Sequence, residues 1–169
     1  EKVFEILKYA YDHGLRTFDT ADVYSNGKSE RLLGKFLKKY NIKRETVVIM
    51  TKIFSPVDED MNVNFETMGK GLDIPEGIQL ANQRGLSRKH IIAGVKNSVE
   101  RSGTYIDVLQ IHRLDHDTPM KEIMKTLNWV VEQGYTRYIG ASTMRATEFV
   151  ELQMIADKYN WFQFVNLQT

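Results

Sequence analysis

Two hydrophobic periods alternate along the chain. Segments with an apolar residue every three or four positions predict amphipathic helices. Between them lie short apolar runs rich in β-branched residues, which predict buried strands. The first helix, about residues 1–13, carries the stripe Val3, Leu7, Ala10 and Tyr11, and Gly14 is placed to end it. A strand at 15–19 follows. The polar loop TADVYSNGK then leads to Ser29, the expected N-cap of a helix over 30–40 with Glu30 in its first turn. That helix presents Leu33, Phe36, Leu37 and Tyr40 on one side. A β-branched strand at 46–51 runs into Lys52. Residues 54–86 have no clean period and are broken by Pro56, Gly69, Gly71, Pro75, Gly77 and Gly85. A loop of that length inside a domain is commonly a lid, a binding loop or disordered.

The second half is more regular. Ser87 is the expected cap of a helix bearing Ile91, Ile92, Val95 and Val99, and a strand at 106–111 follows. Thr118-Pro119 reads as a cap residue followed by proline at the first helical position, opening a helix over 119–133 that Gly134 closes. A strand at 136–141, a helix at about 145–159 and a last strand at 162–167 complete the order. Helix and strand thus alternate five times. Each strand ends on a polar or ionisable residue: Asp19, Lys52, His112, Ser142 and Gln168.

Strand ends that recur at about the repeat of an eight-fold βα barrel, roughly 31 residues, argue for consecutive units of that fold. One interval is of double length and contains the long loop. The fold class is therefore α/β, a partial (β/α)8 TIM barrel of about five consecutive strands with their helices. An open doubly wound sheet is the competing architecture, but it wants a glycine-rich phosphate turn, and no G-x-G-x-x-G occurs here. The chain opens in a helix and stops on a strand, so the expectation is a single incomplete barrel domain over 1–169, with the 54–86 loop on the substrate side.

Composition narrows the function classes. A net charge of +1 gives no support to nucleic-acid or anionic-membrane partners, and 42% hydrophobic with 27% charged residues fits a water-soluble domain. Cysteine is absent, which removes disulfide and thiolate chemistry and fits a reducing compartment such as the cytoplasm. Monomer and homo-oligomer both remain open.

Asp19, Tyr24, Lys52 and His112 make a chemically coherent set. A phenol ordinarily titrates near pH ~10, and a neighbouring ammonium favours its ionised form. The ammonium needs a counter-charge to be buried, which Asp19 can supply. An imidazole beside the phenol can orient a carbonyl oxygen. Such a set protonates an oxygen as negative charge develops on it, an effect worth about 10²–10⁴ in rate. Each residue also has a plainer reading: a turn aspartate, a surface tyrosine, an exposed strand-end lysine, a core histidine. Ser142 and Gln168 could grip a planar amide, although Ser142 and Thr143 could equally cap the next helix. The run His112-Arg-Leu-Asp-His116-Asp117 contains metal-ligand types without metal-ligand spacing, so no metal is expected.

At these residues the chain resembles the aldo-keto reductases along essentially its whole length. RTFDTADVYSNGKSE resembles the family's second-strand motif, VVIMTKI the lysine strand and DVLQIHRLD the histidine strand. RYIGASTM and FVNLQT resemble the motifs that hold a nicotinamide carboxamide. The flavour is that of the fungal and bacterial aryl-aldehyde reductases and channel β-subunits. The resemblance implies a carbonyl reductase using NADPH, acting on small aromatic or medium-chain aldehydes. Tyr24 would be the proton donor, Lys52 and Asp19 would tune it, and His112 would orient the substrate. Asp19, Ser142, Thr143 and Gln168 would contact the cofactor. Thr143 stands where many members have asparagine. The family's first strand and its last two units have no counterpart here, which leaves two other expectations: a cofactor-sensing regulatory subunit, or an inactive fragment.

Overall fold

Alternation of the two periods becomes alternation of elements in the computed structural model, which describes residues 2–60 and 80–169. Among these residues, α1 (Lys2–Asp12), β1 (Thr17–Asp19), α2 (Lys28–Lys39), β2 (Val48–Ile53) and α3 (Arg88–Ser102) come first. They are followed by β3 (Ile106–Ile111), α4 (Met120–Glu132), β4 (Thr136–Ser142), α5 (Ala146–Tyr159) and β5 (Phe164–Gln168). The strands lie side by side in chain order, and every neighbouring pair is parallel. A doubly wound sheet reverses its strand order at a switch point; this one never does. The five strands form a half-barrel of the (β/α)8 type.

Side-chain alternation divides the sheet into two faces. One face turns Ile53, Leu109, Ile111, Ile139, Ala141 and Phe164 toward the helices, where Ile91, Val95, Ile123, Leu127, Leu152 and Ala156 complete the larger core. A smaller core joins Phe18, Ile49 and Ile106 to Leu33, Phe36 and Leu37 of α2, with Phe4, Leu7 and Tyr11 of α1 packed against it. Each such side chain contributes about 1.5–3 kcal/mol when fully buried. Lys52, Gln110 and Gly140 are paired across β2, β3 and β4 at one level of the sheet. They belong to the other face, which also carries Asp19, Ser142 and Asn166.

Several boundaries differ from expectation, for local reasons. Ser29 does not cap α2. Ser25, Asn26 and Gly27 all have positive φ (51°, 52° and 84°), so the chain reverses earlier and Gly27 takes the N-cap position. Thr118 does not cap α4 either; its hydroxyl donates to Asp115 Oδ2 at 2.7 Å, and Pro119 is the N-cap rather than the first helical residue. Ser87 does cap α3, accepting from the His90 amide at 3.3 Å. Thr46 lies in a short 3₁₀ turn, and β2 runs on to Ile53, so Lys52 sits inside the strand rather than at its end. Of the stripe expected on α1, Leu7 and Tyr11 pack inward while Val3 is exposed.

Candidate active site

The carboxyl ends of the strands collect the polar groups. Lys52 is only 2% exposed, so its ammonium must be compensated. Its Nζ donates to Asp19 Oδ2 at 2.6 Å and to the Thr20 carbonyl oxygen at 2.9 Å. That carbonyl is held in place because the β1–β2 pairing continues past Asp19: the Thr20 amide donates to the Met50 carbonyl, and the Asp22 amide to the Lys52 carbonyl. The loop between β1 and α2 brings Tyr24 over the pair. Lys52 Nζ lies 5.2 Å from the Tyr24 ring centroid, and no hydrogen bond joins the ammonium to the phenol. The ring meets His112 edge-on, with centroids 5.9 Å apart at 78°. Four residues singled out in the sequence therefore surround one patch of the rim, with Tyr24 42% exposed and so accessible from outside.

His112 follows β3 directly and is tied back by its amide to the Ile53 carbonyl at 3.0 Å. Burial pushes its imidazole below the ordinary 6.5, and the positive charges of Lys52 and Arg113 push the same way against a smaller pull from Asp19. The ring is neutral at pH 7 and can donate from one nitrogen and accept at the other.

The two outer strands contribute neutral groups. Ser142 is buried, its Oγ 3.2 Å from the Thr143 hydroxyl. Neither caps α5. That end is closed by a capping box, in which the Glu148 carboxylate accepts from the Arg145 amide at 2.8 Å. Thr143 has φ 46°, a strained conformation for a β-branched residue, and its amide donates to the Gln168 carbonyl at 3.0 Å. The Gln168 side-chain amide reaches across the sheet to Asp19 Oδ2 at 3.3 Å. As a donor set, a serine hydroxyl and a glutamine amide at adjacent strand ends suit a planar carboxamide, which both donates and accepts.

Sequence reasoning missed a second layer. Glu30 is fully buried beneath the Tyr24 loop, where it accepts from Thr51 Oγ1 at 2.5 Å and from Arg101 Nε at 2.6 Å. Asn26 and Asp58 exchange two hydrogen bonds, at 2.7 and 3.1 Å, and Arg31 pairs with Glu59. These contacts bind the Tyr24 loop to the segment that leaves β2. Gln110 was also passed over. It is fully buried, donates to Asp19 Oδ1 at 3.2 Å, and accepts from Asn166 Nδ2 at 2.8 Å. Its signal was available: a polar residue inside IDVLQI, two before His112 and so on the same strand face.

In the His112–Asp117 run, Asp115 accepts from the amides of Leu86 and Asp117 and from Thr118, and His116 pairs with Glu148 at 3.0 Å. The ends of the long loop are joined where the Gly85 amide donates to the Phe54 carbonyl at 2.8 Å. Of the 54–86 loop expected on the substrate side, residues 61–79 lie outside the described residues. A groove of about 720 Å³ between α2 and the end of α3 is lined by Arg31, Gly34 and Arg101 among others and carries none of Asp19, Tyr24, Lys52 and His112.

A parallel half-barrel with this rim defines a class, and comparison with known proteins agrees. The family model for the Aldo/keto reductase family matches residues 1–169, and the chain belongs to that family. It is 67% identical to AAD16 of Saccharomyces cerevisiae, provisionally named an aryl-alcohol dehydrogenase, over 99% of this chain and 48% of that protein. It is 54% identical to the versiconal hemiacetal acetate reductase of Aspergillus parasiticus, over 99% of this chain and 48% of that one. Against the aldo-keto reductase AMT2 of Alternaria alternata the identity is 46%, over 96% and 46%. The chain spans about half the length of the curated relatives it matches. Among the described residues, no helix is long and apolar enough to cross a membrane.

Proposed function

We propose that this chain carries the proton-transfer half of an NADPH-dependent reductase of aldehydes and ketones, acting in the cytoplasm on small aromatic or medium-chain carbonyl compounds. The observation that carries the reading is the buried Lys52–Asp19 pair facing the ring of Tyr24. An ammonium has three N–H groups. Two go to Asp19 and Thr20, which leaves one for the phenol oxygen as it gives up its proton. Tyr24 Oη donates that proton to the substrate oxygen. His112, neutral and set against the Tyr24 ring, orients the same oxygen by a hydrogen bond. Asp19 pairs with the lysine and holds it in place. Bound NADPH would supply the hydride. Ser142, Thr143 and Gln168 would hold its carboxamide, with Asp19 alongside. The names borne by relatives, an aryl-alcohol dehydrogenase and a hemiacetal acetate reductase, agree with an aromatic or oxygenated carbonyl substrate.

In the natural full-length protein, Tyr24→Phe is expected to lower carbonyl reduction by about 10²-fold or more while NADPH affinity, read by fluorescence titration, stays within about twofold. Turnover equal to wild type would remove Tyr24 as the donor. Lys52→Met is expected to be comparably damaging to kcat, because the phenol then loses the ammonium that faces its ring; a variant with most of its activity would leave Tyr24 acting without tuning.

A further inference from the structure

We propose that Gln110, itself held by Asn166, is a positioning residue that fixes the orientation of the Asp19 carboxylate and through it the Lys52 ammonium. The inference rests on the reductase reading above and adds residues to it. A carboxylate on an aspartate turns on a broad, roughly two-fold torsion, so its rotamer does not fix which way each oxygen points; its partners must. Asp19 Oδ2 receives Lys52 and Gln168, and Asp19 Oδ1 receives Gln110 Nε2. Gln110 therefore holds the oxygen that the ammonium does not.

The direction of the Gln110 amide is determined by its neighbours. An ionised carboxylate only accepts, so the NH₂ end must face Asp19 and the oxygen must face away. There Asn166 Nδ2 donates to it. A buried amide costs free energy unless it is bonded, and here both ends are. The space for this pair comes from β4. A β-carbon at Gly140 would overlap Asn166 Oδ1 and lie 3.1 Å from Gln110 Cγ. Three strands thus cooperate to hold one carboxylate on a fourth: β5 supplies Asn166, β3 supplies Gln110, β4 withholds a side chain, and β1 carries Asp19. If the two amides were core filler alone, any well-packed side chains would replace them. The position of Gln110 one bond from Asp19 argues otherwise.

The test uses the natural full-length protein with NADPH and an aromatic aldehyde. Gln110→Met keeps length and removes the donor; kcat is expected to fall at least about tenfold while the aldehyde KM stays within about threefold. Adding Asn166→Ala to Gln110→Met is expected to cost kcat nothing more, since Asn166 acts through Gln110. Gln110→Glu provides a readout that packing would not move. Its carboxyl can donate to Asp19 only when protonated, so kcat relative to wild type should rise as pH falls. A folded Gln110→Met with wild-type kcat, a double variant worse than the single, or a Gln110→Glu ratio flat with pH would each overturn the proposal. If Tyr24→Phe abolishes turnover while Gln110→Met does not, this inference alone fails; if the wild type reduces no carbonyl, the reductase reading fails and this one with it.

Discussion

Two residues before the candidate proton donor, Asp22 is almost completely buried and its Oδ1 accepts no hydrogen bond. Burial pushes its carboxyl well above the ordinary 3.8, and the nearby Glu30 carboxylate pushes the same way. Arg101 and the Val23 amide oppose them without prevailing. An acid whose folded-state value is raised stabilises the fold at low pH, and that contribution is lost as pH rises through the raised value. Near neutrality Asp22 therefore weakens the fold it sits in. Asp22→Asn keeps the shape and cannot ionise, and its NH₂ can face the Glu30 carboxylate. It is expected to stabilise the protein by about 1–3 kcal/mol at pH 7, with the gain shrinking as pH falls toward the unfolded value. Thermal melts of both proteins at several pH values would check this, and a gain independent of pH would show that ionisation is not the cause.

Between elements, α2 and α3 approach closely, backbone to backbone, at Gly34. A β-carbon there would lie 2.5 Å from the Ser102 carbonyl oxygen and 2.9 Å from its carbon. Backbone on both sides cannot yield as a side chain would, so the helices must part. Gly34→Ala is expected to cost about 1–3 kcal/mol in urea unfolding, and it would strain the Glu30–Arg101 pair that spans the same two helices. An unchanged midpoint would show that the interface has slack. At this scale much was legible beforehand. The 3.6 and 2.0 periods record which face is buried, so the helices and strands were readable, and a polar residue at the end of an apolar strand marked Asp19, Lys52, His112, Ser142 and Gln168, with Lys52 one residue inside β2. Helix caps were not readable at Ser29 and Thr118, because they depend on the φ angles and acceptors of neighbours rather than on the cap residue itself. Gln110 showed a local signal, a polar residue within an apolar strand, but its partner Asp19 is 91 residues away, and the partner of Glu30, Arg101, is 71 away. Such pairings belong to the tertiary fold and leave no local period. Tyr24 lies in a polar loop with no pattern of its own, and it was legible through its chemistry beside Asp19, Lys52 and His112 and through its motif.

At the scale of the whole molecule, the sheet formed by the described residues is open on both sides. Among the described residues β1 pairs with β2 alone and β5 with β4 alone, so each edge lacks a partner strand along one side, although the Gln153 side chain bonds the Phe164 amide and carbonyl. The flanking surfaces are apolar too: Ile6 is 68% exposed, Met154 67% and Val165 57%. A closed barrel has no such edges, and open edges beside apolar surface are templates for pairing with other chains. Charge offers little resistance, because a net +1 spread over 169 residues gives weak mutual repulsion near neutral pH. The 169-residue chain prepared by itself is therefore expected to self-associate with rising concentration in sedimentation velocity. On the reading proposed above it is also expected to bind NADPH far more weakly than a chain that closes the barrel, since Ser142, Thr143 and Gln168 would reach only one end of so long a ligand. Association of this kind should persist at high salt, which weakens charge pairing but not edge pairing or apolar contact. A single monomeric boundary at all concentrations, together with undiminished NADPH affinity, would show that the half-barrel is self-sufficient and that the rim needs no further strands to hold the cofactor.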